Sequence, residues 1–91
     1  MAQYSGQVTL SNLTATQLPS IQALKVLLAA DPSNSGTAWV GNDGDDDVSI
    51  LTGFPVTTSK DVEVTLDGTL DELWAIAENN GDILCWLLTD R

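Results

Sequence analysis

Apolar and polar residues alternate most cleanly over residues 61–67, Asp-Val-Glu-Val-Thr-Leu-Asp. A period of two places Val62, Val64 and Leu66 on one face of a β-strand and Glu63 and Thr65 on the other. Residues 4–10 alternate more loosely, with Gly6 as a weak point. Residues 11–20 are rich in Ser, Thr and Asn and read as loop plus an irregular edge strand. Residues 21–30 fit two patterns: Ile21, Leu24, Leu27 and Leu28 have helical spacing, whereas Leu24, Val26 and Leu28 share one strand face. Helix propensity there is good, but the reversal at Asp31-Pro32 follows at once, and the reading is a strand. Residues 37–41, 48–51 and 54–57 are further short strands, separated by the loop 42–47 and a turn at Thr52-Gly53.

Toward the C-terminus the signals conflict. Thr69-Leu70-Asp71-Glu72 fits a capping box that starts a helix through Leu73, Trp74, Ile76 and Ala77, and the same residues also fit a turn followed by a strand. Glu78-Asn79-Asn80-Gly81-Asp82 predicts a hairpin turn of type I′, with residues 83–89 as the closing strand. Short, closely spaced strands with turn signals between them predict an all-β fold, a small antiparallel β-sandwich or barrel. The 91 residues form a single domain, with 1–12 as a candidate N-terminal arm.

A chain of this length buries only about 60–65% of its unfolded surface, so assembly with other subunits is an expected source of added stability. Cys85 is the single cysteine, which excludes an internal disulfide and fits synthesis in a reducing cytoplasm. Thirteen acidic residues oppose Lys25, Lys60 and Arg91, for a net charge of -10. That surface repels phosphate backbones and anionic membranes, so neither nucleic acid nor membrane is an expected partner. The start, Met-Ala-Gln-Tyr-Ser-Gly, lacks the basic and apolar parts of a secretory signal, and a soluble protein not exported by that route is expected.

The chain has no histidine, which removes the usual general base, the Ser-His and Cys-His nucleophile pairs and the commonest zinc ligand. Asp71 and Glu72 are adjacent and would point apart on a strand, so they read as solvated charges. No enzyme and no cofactor is expected. Asp43, Asp45, Asp46 and Asp47 form the only grouping that invites calcium, but the EF-hand spacing is missing, and the loop reads first as a solvated hairpin tip. Cys85, between Leu84 and Trp86, reads as a buried thiol.

On the strand 37–41, Ala38 and Val40 lie opposite Trp39, which therefore faces outward for an interface or, in the other register, packs inside. Trp74 reads as core. Along residues 83–89, Ile83, Cys85 and Leu87 line one face and Leu84, Trp86 and Leu88 the other, so both faces are apolar. An antiparallel sheet of a small domain normally keeps one face wet, and the second needs a cover. Either another subunit supplies it, or the N-terminal arm or the 11–20 segment folds over it.

The run Asn34-Ser35-Gly36-Thr37-Ala38-Trp39-Val40-Gly41, then an acidic loop, then Thr52-Gly53-Phe54-Pro55-Val56, resembles small β-rich virion proteins of tailed bacteriophages. The resemblance covers roughly residues 20–88 and implies strands over 21–30 and 73–77. It implies a capsid decoration, or cement, protein made in the bacterial cytoplasm and sited on the outer capsid surface. Such a protein docks where major capsid protein subunits meet and favours a homotrimer at local three-fold positions. The contact residues expected under this reading are Trp39, Phe54, Leu84, Trp86 and Leu88, with Tyr4 to Val8 as an arm. The competing reading is a tail or head-fibre component, or a carbohydrate-binding module with Trp39 and the 42–47 loop as its site.

Overall fold

Residues 22–30, whose pattern fits helix and strand alike, form a nine-residue strand in the computed structural model, which describes residues 4–42 and 53–90. The strands are β1 (Ser5–Thr9), β2 (Thr16–Gln17), β3 (Gln22–Ala30), β4 (Ala38–Gly41), β5 (Phe54–Val56), β6 (Val62–Thr69), β7 (Trp74–Ala77) and β8 (Ile83–Asp90). They make two four-stranded antiparallel sheets, ordered β1-β8-β3-β6 and β2-β7-β4-β5. The architecture is a β-sandwich in one domain. The expected strand at 48–51, the turn residue Thr52 and the acidic cluster Asp43, Asp45, Asp46 and Asp47 lie outside the described residues.

The chain changes sheet at every connection except that from β4 to β5. The hairpin expected at residues 78–82 is therefore a crossing from β7 in the second sheet to β8 in the first. Gly81 takes a positive φ of 94°, but no non-glycine residue described does, so the type I′ turn, which needs two such residues, is not formed. Within the crossing the Asp82 N–H donates to the Asn79 carbonyl, while Gly81 N–H donates to the Leu10 carbonyl and Leu10 N–H to that of Asp82.

The crossing from β3 to β4 is pinned to the same end. Asn34 imitates a strand neighbour of Ile83, its Nδ2 donating to the Ile83 carbonyl (2.7 Å) and its Oδ1 accepting the Ile83 N–H (2.8 Å). Asp82, buried at 9% exposure, accepts the N–H groups of Ser35 and Gly36. Replacing Asn34 by alanine strands the Ile83 N–H, while the Ile83 carbonyl keeps the Asp31 N–H at 3.1 Å, and is expected to cost about 1–3 kcal/mol, read as a lower urea midpoint with unchanged slope.

The capping-box residues and the strand reading share out residues 69–77. Leu70–Glu72 makes one 3-10 turn, and β7 follows directly. The Glu72 carboxylate accepts the N–H groups of Asp67 (2.8 Å) and Thr69 (3.0 Å). These two bonds hold its carboxyl below the ordinary 4.5, against smaller opposing effects of desolvation and the neighbouring Asp71 charge. A lowered folded-state value means the contribution is full above pH 4.5 and is lost as pH falls through the lower folded value. Urea midpoints of wild type and Glu72→Gln are thus expected to converge on acidification, while a constant gap between them would contradict this.

The core divides its bulk unequally between the sheets. The first sheet sends in Val26, Leu28, Leu84, Trp86 and Leu88, and the second mostly small residues, Ala38, Ala75 and Ala77 with Val40 and Val56. Leu10, Leu18, Leu70 and Leu73, from the crossings, complete the same cluster. Large side chains on one face filling space left by alanines on the other is how two sheets reach native packing density. The expected N-terminal arm is, from Ser5 to Leu10, part of the fold: β1 pairs along β8, Val8 packs against the core, and Leu10 is buried.

Candidate functional site

The pleat of β8 sends Leu84, Trp86 and Leu88 inward, where they are 0%, 3% and 7% exposed. This corrects the expectation that these three make subunit contacts. β8 is an interior strand between β1 and β3, and the second sheet covers that face within one protomer. Val8 likewise turns to the core, while Tyr4 stays exposed beside the end of β8, its carbonyl accepting the Leu88 N–H at 2.7 Å.

The other face of β8 is the one left open. Ile83 and Cys85 are half-buried and Leu87 is 46% exposed. In register beside them on β3, Leu27 lies opposite Leu87 and Ala29 opposite Cys85. Register shifts around residues 23–26 leave Leu24 and Lys25 both exposed, which adds Leu24 to the apolar side chains near this face. The outer surface of the first sheet thus carries an apolar strip over its two central strands. Polar side chains border it: Gln7 Nε2 reaches Cys85 Sγ at 3.7 Å, and the Thr89 hydroxyl donates to Glu63 Oε2 across β3 at 3.0 Å. Cys85, expected to be buried, sits half-buried within this strip.

The sequence left both faces of β8 apolar, and the structure buries Leu84, Trp86 and Leu88 and turns Ile83, Cys85 and Leu87 outward. The deciding signal lay in β3: Val26, Leu28 and Ala30 face inward, and the antiparallel register then sends Leu84, Trp86 and Leu88 inward with them.

The second sheet presents an apolar surface of its own. Trp39 faces outward, as expected from Ala38 and Val40, and is half-buried. Trp74, expected in the core, alternates with the buried Ala75 and lies on the same outward side. Trp39 is paired across the sheet with Ile76 and Pro55, and Trp74 with Gly41, so the two indoles occupy diagonal positions on one face. Phe54, on β5, is 50% exposed. It helps to line a cleft of about 470 Å³ that also draws on Val40, Val62, Val64 and Leu73.

Among the described residues no group of three or more acidic or Cys side chains could hold a metal ion. No described helix is long and apolar enough to cross a membrane. Asp71 and Glu72 do not act as a pair: the Glu72 carboxylate is engaged by backbone amides, as above. No family model, no curated protein and no solved structure matches the chain.

Proposed function

We propose that this chain is a structural protein that works by docking, and in its finer form a capsid decoration protein of a tailed bacteriophage, seated on the outer surface of the major capsid protein shell. The observation that carries the docking reading is the apolar strip of Leu24, Leu27, Ala29, Ile83, Cys85 and Leu87 on the outer face of the first sheet. A sandwich of this size has a polar outer face available at no cost to its core, and here the two central strands spend that face on aliphatic groups. Burying a half-exposed leucine yields about 1 kcal/mol, so a handful of such side chains supports a specific contact. The charge of -10 favours a basic or neutral partner surface and keeps the free protein soluble. The virion reading itself is supported by the resemblance over residues 34–41 and 52–56, and the absence of histidine from the sequence fits a role without catalysis. Closed three-fold symmetry at the capsid lattice favours a homotrimer.

The test is co-sedimentation of the labelled chain with particles of the phage from which it derives, before and after stripping of the particle surface. Saturable rebinding in fixed proportion to the major capsid protein supports the reading. Absence of the chain from purified particles overturns it.

A second reading has an observation of its own. Trp39 and Trp74 share the outer face of the second sheet, and indoles so placed suit stacking on sugar rings. A saturable shift of tryptophan fluorescence with host-surface glycans favours that tail or fibre role.

A further inference from the structure

β6 ends the first sheet, and among the described residues no strand pairs with its outer edge. Eight residues of open edge are a template for another chain, and proteins normally block such an edge. Here the block covers one end. Glu72 caps the Asp67 and Thr69 amides, and no such cap reaches residues 62–65 from any described residue. That uncapped stretch is also the stretch that lines the 470 Å³ cleft, with Val62 and Val64 on its wall and Val40, Phe54 and Leu73 completing the apolar lining. An open backbone edge beside an apolar cleft is the arrangement that binds an extended peptide by strand addition: main-chain bonds supply affinity and the cleft takes alternate side chains.

We propose that residues 62–65 of β6 receive an extended segment of a partner protein in which apolar and basic residues alternate. The alternation follows from the pleat. Side chains of an added strand on the Val62 and Val64 side enter the cleft, and those on the opposite side stand beside Glu63 and Thr65. Glu63, the flanking Asp61 and Asp67, and the charge of -10 select basic residues at those outward positions. The site is an edge, separate from the apolar strip on the outer face, and the inference stands whether or not the chain is a virion protein.

The probe is a short capped peptide of alternating valine and lysine, followed by amide NMR and hydrogen exchange on the full chain. Saturable shifts at residues 62–65 are expected, with exchange slowed at least about tenfold at the alternate amides that point away from β3. Methylating the backbone nitrogens along one edge of the peptide should abolish binding, and methylating the other edge should preserve it. Phe54→Ala, a change at a half-exposed side chain, should weaken binding about three- to tenfold with the fold intact. The proposal is overturned if no saturable binding occurs, if both methylated peptides bind alike, or if the shifts map to Leu27 and Leu87. It is equally overturned if the amides of residues 62–65 that point away from β3 are already protected in the free chain, by a second copy or otherwise.

Discussion

Alanine at position 86 is expected to lower the stability of the chain by about 3–5 kcal/mol, a large share of the roughly 5–15 kcal/mol typical of a folded domain. Trp86 is the largest side chain of the core cluster and faces a sheet whose inner surface is built from alanines, which cannot reach in to fill the space it vacates. Phenylalanine at the same position should cost far less, about 1 kcal/mol. Trp86 Nε1 is buried with no hydrogen-bond partner among the described residues, so removing that N–H relieves a desolvation penalty that offsets part of the lost packing. Urea unfolding of the two variants measures the contrast. Equal losses for both would show that the indole nitrogen is satisfied in solution, for instance by a buried water.

Glutamate at both Leu24 and Leu87 should leave the urea midpoint nearly unchanged and remove docking. Each side chain is more than two-fifths exposed, at 42% and 46%, so the folded protomer loses little. In a docked complex each change removes about 1 kcal/mol of apolar burial and adds the cost of desolvating a carboxylate, so the pair should weaken binding at least about a hundredfold. Co-sedimentation with stripped particles provides the measurement. A double variant that rebinds as well as wild type would move the docking surface elsewhere, with the tryptophans of the second sheet as the next place to look.

Much of the fold was legible because alternation survives in short segments. The inward set of β6 follows from the pleat alone, the strand over residues 22–30 from the reversal that ends it at Asp31-Pro32, and the outward placement of Trp39 was one of two readings that alternation allowed. Which sheet each strand joins was not legible. Asn, Gly and Asp at residues 78–82 announce a reversal, and a reversal that stays in one sheet looks the same in sequence as one that crosses to the other. The crossing is fixed by long-range bonds such as those of Asn34 to Ile83, which no local pattern encodes. The same gap explains the error at the candidate site: Ile83, Cys85 and Leu87 are as apolar as Leu84, Trp86 and Leu88, and only pairing with β3 decides between them. Trp74 was misjudged for a related reason, since tryptophan suits a core and an exposed sheet face equally well.

The central place of β8 also sets a timetable. Of the neighbouring pairs in the first sheet, only β3 and β6 can meet while the ribosome is still adding residues 83–90, and β1 must wait until those residues are made for its one partner among the described strands. The first sheet therefore has little it can complete in stages before β8 exists, and its closure is a concerted and comparatively slow event.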